Sequence, residues 1–145
     1  MRIVIVSNRL PVSITKDKKN NNKFQKSAGG LVTSIGAYTE KMTELSYVWV
    51  GWPGVSATTK SEQEEIISSL ETMHCYPVFL TEKEMDKFYL GFCNKTIWPL
   101  FHYFPTIASF EKEQYDVYKS VSLKFEKALN NICLLYTSDA ADDLL

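Results

Sequence analysis

The stretch RIVIVSNRLPVSI (residues 2–14) decides the fold of this 145-residue chain. Its first part, RIVIV, is a short apolar run rich in β-branched residues, which is typical of a parallel strand covered on both faces. Apolar residues resume after the polar triplet SNR, and they predict a second strand at an edge, since Pro11 cannot donate to a strand ladder. An arginine just past a buried strand is either a solvated loop residue or a placed ligand contact. Arg9 is therefore the first candidate site residue.

Strand-like and helix-like segments alternate along the rest of the chain. The apolar runs YVWVGW and YPVFL predict two further strands. Helices are predicted after SAGG, after a capping box of Ser61 with Glu64, and after a second box of Thr81 with Glu84. A long amphipathic helix follows, with one apolar side formed by Val117, Val121, Phe125, Leu129 and Ile132. This alternation predicts an α/β fold with a mostly parallel sheet and flanking helices.

Two segments are predicted to lie outside this fold. The stretch TKDKKNNNKFQKS (residues 15–27) is rich in lysine and asparagine and has a single aromatic residue, which predicts a mobile loop. Beyond residue 132, CLLYTSDAADDLL begins like a strand and then turns acidic. We interpret residues 133–145 as a non-native or out-of-frame tail, with a natural disordered C-terminus as the alternative. Residues 1–132 then form the domain.

Composition narrows the classes of function. Sixteen basic and seventeen acidic residues leave a net charge of -1, which gives no case for nucleic acid or an anionic membrane as partner. Three widely spaced cysteines predict reduced thiols, and neither a disulfide framework nor a zinc site. Neither histidine has a partner at metal-ligand spacing. The apolar run at residues 3–6 is too short for a signal peptide or a membrane span, so we expect a cytoplasmic protein.

Two elements of the sequence suit phosphate groups. Arg9 follows the first strand, where open α/β sheets bind ligands, and its planar fork can hold a phosphate at two points. Gly29 and Gly30 precede a predicted helix, so the backbone there can approach a diphosphate closely. Glycine pairs are often simple turns, however, and this one is neither a P-loop nor part of a GxGxxG pattern.

Two aromatic blocks suit sugar rings, although such blocks more often belong to a core. They include Tyr89 and Trp98, which are nine positions apart. At about 3.6 residues per turn, this spacing would place the two rings on opposite faces of an α-helix. We therefore expect an interruption at Gly91–Asn94 to re-aim them.

Four segments together resemble one family closely. VIVSNRLPVSI, SAGGLVTSIGAY, WVGWPG and FYLGFCNKTIWPLFHY occur in the order and at the separations found near the N-terminus of the α,α-trehalose-phosphate synthases (UDP-forming), the retaining glycosyltransferases of family 20. The segments cover most of residues 2–104. The resemblance implies a GT-B enzyme of two Rossmann-like domains, with residues 1–132 as an incomplete N-terminal, acceptor-side domain. It implies transfer from UDP-glucose, a co-substrate, to glucose 6-phosphate, giving trehalose 6-phosphate and UDP without a metal or other cofactor.

The resemblance also implies site residues. Arg9 matches the family arginine that holds the phosphate of glucose 6-phosphate. Tyr89 and Trp98 match aromatic residues of the acceptor pocket. Gly29 and Gly30 match the glycine pair that lies against the donor diphosphate. No catalytic residue is assigned.

The sequence leaves other functions open. A HDYHL-like motif and the donor domain with its basic residues are missing from the 145 residues, so we expect this chain alone to be inactive. One alternative is a sister synthase with another phosphorylated acceptor. Another is a non-catalytic regulatory homologue that binds sugar phosphate or a synthase subunit. A plain dinucleotide-binding domain is disfavoured because no GxGxxG follows a strand. A homo-oligomer or a trehalose-synthase complex is compatible with the resemblance.

Overall fold

A computed structural model describes residues 2–17, 22–27, 32–36 and 46–142 of the chain. It divides into two units, residues 1–79 and residues 80–145. The strands within the described residues are β1 (Arg2–Arg9), β2 (Val12–Lys16), β3 (Asn22–Lys26), β4 (Ser46–Trp52) and β5 (Cys75–Pro77). Helix α1 (Lys60–Glu71) lies in the first unit, and the second unit contains α2 (Glu82–Met85), α3 (Trp98–Phe101), a 3₁₀ helix (Pro105–Ile107) and α4 (Lys112–Asp142).

A parallel sheet in the order β1–β4–β5 forms the centre of the first unit. The predicted α/β class with a parallel sheet is therefore confirmed. The prediction that β1 is covered on both faces is wrong, because Val4 is 37% and Val6 48% exposed. Ile5, on the other face, packs against the buried cluster that includes Ile66 of α1. The helix thus covers one face of this strand.

The strands β2 and β3 form an antiparallel hairpin, in which Ile14 stands opposite Phe24. The loop predicted over residues 15–27 is therefore wrong at its two ends, while residues 18–21 lie outside the described part. The composition is polar, but Ile14 is buried in the core cluster and Phe24 packs against it. One apolar cross-strand pair on the inner face is enough to dock a short hairpin.

The helix α1 supplies the core side chains Ile66 and Leu70, both fully buried. Its N-cap is Thr59, whose side chain accepts the backbone N–H of Glu62. The predicted capping box of Ser61 is wrong, because the helix begins at Lys60 and leaves Ser61 inside the first turn. For the helix predicted after SAGG, residues 32–36 are helical and the flanking residues 28–31 and 37–45 lie outside the described part.

The second unit is built from helices. Its first helix, α2, begins with the predicted capping box of Thr81 and Glu84, which is confirmed. It continues without a break into a π-helical segment, Asp86–Ile97, and then into α3. The final helix, α4, runs to Asp142, so the strand-like start predicted for residues 133–145 is wrong. The leucines and alanines of this segment are good helix formers, and the non-native origin of the tail stays a prediction.

The helix α4 packs its predicted apolar side against the π-helical segment, with Val121 and Ile132 fully buried. The Phe88 ring stacks on Tyr118 with centroids 5.7 Å apart. Lys124 on α4 pairs with Glu84. Partial burial acts to raise the pKa of Glu84, but hydrogen bonds from Lys124 and Thr81 outweigh it and hold that pKa below its usual value. These contacts fix the segment that carries Tyr89 and Trp98.

None of the helices in the described part of the chain is both long enough and apolar enough to cross a membrane.

Candidate functional site

A one-residue bulge in β1 decides where Arg9 points. Val6 pairs with Val50 in regular register. The next pair is Arg9 with Trp52, so three residues of β1 stand against two of β4. Without the extra residue, Asn8 would stand opposite Trp52; with it, Arg9 takes that place on the face that carries Val6. Arg9 was predicted just after the first strand, and the structure corrects this: it is the last residue of β1.

The bulge is held by the hydroxyl of Ser7. This hydroxyl accepts the indole N–H of Trp49 at 2.7 Å and donates to the carbonyl oxygen of Arg9 at 2.6 Å. Trp49 is only 2% exposed, so its N–H needs a partner inside the protein. Directly after the bulge, the N–H of Leu10 donates to the carbonyl oxygen of Trp52 at 2.9 Å. The backbone of Arg9 is therefore fixed on both sides.

Gly51 allows the two backbones to come this close. A Cβ atom at this position would lie 2.8 Å from the carbonyl oxygen of Ser7 and 3.0 Å from the carbonyl carbon of Arg9. It would also lie 3.0 Å from the backbone nitrogen of Leu10. All three neighbours are backbone atoms, so no side-chain rotation relieves the contact. Sequence reasoning assigned no role to this glycine.

The Arg9 side chain lies over the indole ring of Trp52. Its Cζ atom is 4.9 Å from the ring centroid, which is within cation–π range. Gly54 follows with a φ of 88°, and a Cβ atom there would lie 3.3 Å from Nη2 of Arg9. Arg9 is exposed, so its guanidinium N–H groups can donate to an anion.

The second unit presents Tyr89 and Trp98 on one helical segment. The helix there has i→i+5 hydrogen bonding with about 4.4 residues per turn, so nine positions make about two turns and bring both side chains to one side. The N–H of Trp98 still donates to the carbonyl of Cys93, five residues earlier. The predicted interruption at Gly91–Asn94 is absent. The π-helical geometry, and not an interruption, places the two rings on the same side of the helix. Tyr89 is 37% and Trp98 48% exposed.

His102 covers one face of the Trp98 indole. The two ring centroids are 4.1 Å apart, with an interplanar angle of 19°. A 2.8 Å hydrogen bond joins His102 Nδ1 and the carbonyl oxygen of Trp98, which fixes the imidazole in this position. A sugar ring that stacks on this tryptophan would therefore have to use the opposite face.

The predicted site residues thus fall into separate groups. Arg9 lies in the first unit with Trp52, and Tyr89 lies with Trp98 in the second. Gly29 and Gly30 lie outside the described residues. Within residues 2–17, 22–27, 32–36 and 46–142, no group of histidine, cysteine and acidic side chains could hold a metal ion. Burial raises the pKa of the Cys75 thiol to about 11, so this buried thiol stays protonated at neutral pH and offers no nucleophile.

Replacing Ser7 with alanine is expected to destabilise the first unit by about 1–3 kcal/mol, because the buried N–H of Trp49 loses its acceptor. Urea denaturation followed by tryptophan fluorescence measures this. Ser69→Ala is the matched control, since the Ser69 hydroxyl bonds only a helix carbonyl at an exposed site. Equal unfolding free energies for the two variants would show that the Ser7 bridge is unimportant.

Comparisons with known proteins point to one family. The model of glycosyltransferase family 20 matches residues 1–140. An α,α-trehalose-phosphate synthase [UDP-forming] of Yarrowia lipolytica is 36% identical over 131 residues, which are 90% of this chain and 27% of that protein. The solved trehalose 6-phosphate synthase of Burkholderia multivorans is 28% identical and has a TM-score of 0.55. The match covers 90% of this chain and 25% of that chain.

A synthase of Burkholderia xenovorans, solved in complex with glucose-6-phosphate, is 19% identical with a TM-score of 0.57. It covers 90% of this chain, which is 25% of that protein, and at this identity the likeness shows the fold alone. The chain thus spans about a quarter of the length of the curated relatives and solved structures that it matches.

Proposed function

This chain belongs to glycosyltransferase family 20, and from that premise we propose that it is the acceptor-side part of an α,α-trehalose-phosphate synthase (UDP-forming). Its parallel sheet with flanking helices is part of a Rossmann-like domain of the GT-B type. The proposed reaction transfers glucose from UDP-glucose to glucose 6-phosphate and yields trehalose 6-phosphate and UDP. The observation that carries the proposal is the exposed Arg9 side chain at the carboxyl end of β1, where it lies over the Trp52 ring.

In this proposal Arg9 holds the acceptor phosphate through two parallel N–H···O bonds. The side chains of Tyr89 and Trp98 line the acceptor pocket, where their exposed rings suit a sugar. This choice of acceptor rests on the family resemblance. The half-exposed Trp98, with one face already covered by His102, would offer the sugar a single stacking surface.

On the donor side, Gly29 and Gly30 would lie against the UDP diphosphate, close to a helix N-terminus. Retention at the anomeric carbon without a protein nucleophile requires the leaving phosphate to assist the incoming hydroxyl on the same face. Electrostatic stabilisation of the departing UDP would then supply much of the rate. The proposal includes no metal and no cofactor besides the co-substrate UDP-glucose. The proposal also includes a cytoplasmic location and assembly with further synthase subunits. Both rest on the family resemblance alone.

The test is UDP release from UDP-glucose by a protein that continues this chain to the full length of its relatives. We expect release that depends on glucose 6-phosphate and yields trehalose 6-phosphate, and no release from the 145-residue chain alone. UDP release with a different sugar phosphate would favour a sister synthase. Binding of glucose 6-phosphate without any UDP release would favour a regulatory homologue. Turnover by the short chain would overturn the predicted inactivity.

Replacing Gly30 with valine is expected to weaken UDP binding at least about tenfold while leaving glucose 6-phosphate binding nearly unchanged. A branched side chain would occupy the space that the diphosphate needs. Calorimetric titration with each ligand in turn measures the two effects. If UDP binds both forms equally, the glycine pair only makes a turn.

A further inference from the structure

We propose that Gln114 is a positioning residue, whose carboxamide, packed against Gly91, holds the π-helical segment in the rotation that presents Tyr89 and Trp98 together. The inference rests on the proposed function, in which those two rings line the acceptor pocket, and it goes further by naming the contact that aims them. It is carried by the close approach at Gly91, by the burial of Gln114 and by the spacing of Gly91 and Trp98.

The carboxamide of Gln114 occupies the place where a side chain at Gly91 would begin. A Cβ atom at Gly91 would lie 2.9 Å from Oε1 of Gln114 and 3.0 Å from its Cδ. Gly91 is buried, and Gln114, in the first turn of α4, is only 7% exposed. The Phe92 ring, next in the chain, packs on Tyr118 of α4 with centroids 4.9 Å apart. Gly91 therefore lies on the side of the segment that faces α4.

The contact between Gln114 and Gly91 depends on shape. Oε1 of Gln114 is buried and, within the described residues, has no hydrogen-bond partner. A buried oxygen without a partner is unfavourable, so hydrogen bonding does not explain why the amide lies here. The space left open by the missing side chain of Gly91 does explain it, because protein interiors are close-packed. A side chain of similar length without polar atoms should then serve as well.

The spacing connects this contact to Trp98. Seven positions are about two turns of an α-helix, so an α-helix would point Trp98 to the same side as Gly91, toward α4. In the π-helical segment the same seven positions are about 1.6 turns, which brings Trp98 to nearly the opposite side. Tyr89, two positions before Gly91, points away from α4 in either helix type. The π-helical geometry is therefore what brings Trp98 to the side of Tyr89.

The π-helical segment needs such support, because π-helical hydrogen bonding is rare and α geometry is the common alternative. Alanine at Gly91 would favour an α-helix by its higher propensity, and its Cβ would push against the amide of Gln114. Both effects favour a return to α geometry, in which Trp98 leaves the side of Tyr89. Gly91→Ala is therefore expected to weaken glucose 6-phosphate binding about fivefold through loss of the Trp98 surface.

The experiment uses the 145-residue chain and two measurements. NMR detects scalar coupling across a hydrogen bond and so identifies the carbonyl that accepts the Trp98 N–H, which is Cys93 in the π-helical segment and would be Asn94 in an α-helix. Calorimetry gives the dissociation constants for glucose 6-phosphate and for glucose. We expect Gly91→Ala to move the coupling from Cys93 to Asn94 and to raise the dissociation constant for glucose 6-phosphate about fivefold.

Three further variants isolate the contact. Combining Gly91→Ala with Gln114→Ala puts a methyl group where the amide has been removed, so we expect the Cys93 coupling to return and the dissociation constant to lie within about twofold of wild type. Gln114→Met keeps the length without the polar atoms and should behave like wild type. Asn94→Ala raises the α-helical propensity at an exposed position of the same segment and should change neither measurement.

The outcomes separate this inference from the proposed function. If Trp98 couples to Asn94 in the wild type, or if the double variant binds as weakly as Gly91→Ala, the positioning role of Gln114 is wrong. A moved coupling with an unchanged dissociation constant also overturns that role and leaves the proposed function in place. If wild type binds glucose and glucose 6-phosphate equally while the couplings behave as expected, the proposed function is wrong. If Gly91→Ala does not fold, Gln114→Met decides: loss of the Cys93 coupling or of affinity there overturns the packing role.

Discussion

Replacing Arg9 with alanine is expected to raise the KM for glucose 6-phosphate by about 30- to 900-fold in the full-length protein. The variant loses a charge-assisted contact at two points, which corresponds to about 2–4 kcal/mol. The backbone of β1 should survive, because the Ser7 and Leu10 hydrogen bonds that hold the bulge use main-chain atoms of Arg9 and its strand partner. Steady-state kinetics with UDP-glucose held saturating measures the effect, and the KM for UDP-glucose should change little.

Arg9→Lys is the matched control for charge. Lysine keeps the positive charge but lacks the planar fork that binds phosphate at two points. We therefore expect a KM between those of wild type and Arg9→Ala. An Arg9→Ala variant that is folded and has a wild-type KM would remove Arg9 from the acceptor site.

Replacing Gly51 with alanine is expected to destabilise the first unit by about 3 kcal/mol and to weaken glucose 6-phosphate binding as well. The added Cβ would lie 2.8 Å from the carbonyl oxygen of Ser7 and 3.0 Å from the backbone of Arg9 and Leu10, so the bulge itself must move. Chemical denaturation gives the change in unfolding free energy. Titration of the folded variant with glucose 6-phosphate shows whether Arg9 has moved with the strand.

Gly36→Ala provides the control in the same unit. A Cβ atom at Gly36 would have nothing within 4 Å, and the residue is helical, so alanine there should be neutral or stabilising. If Gly51→Ala were as stable as Gly36→Ala, the close approach of β1 and β4 would not be a constraint on the fold.

The first two strands of the parallel sheet, β1 and β4, were predictable because β-branched apolar runs favour strands, as RIVIV and YVWVGW do, but the exposure of one face of β1 was not. The hairpin of β2 and β3 was not predictable, because its sequence is mostly polar and only the pair of Ile14 and Phe24 is apolar on both strands. The start of α1 was placed two residues late, since both Thr59 and Ser61 are good N-caps and the choice depends on where the chain leaves the loop.

The candidate site was predictable only in part. The family resemblance selected Arg9, Tyr89 and Trp98. The directions in which their side chains point could not be derived from local sequence. The bulge depends on contacts between residues more than forty positions apart, such as Ser7 with Trp49. Likewise, the nine-residue spacing of Tyr89 and Trp98 places them on opposite faces of an α-helix but on the same side of a π-helix. No local sequence pattern predicted the π-helix.

In the proposed function, this chain recognises a sugar by its phosphate through Arg9. The most direct test is the ratio of the dissociation constants for glucose and glucose 6-phosphate, measured by calorimetry on wild type and on Arg9→Ala. We expect wild type to prefer the phosphorylated sugar by at least about 30-fold and this preference to fall close to one in the variant. An equal preference in both proteins would contradict it.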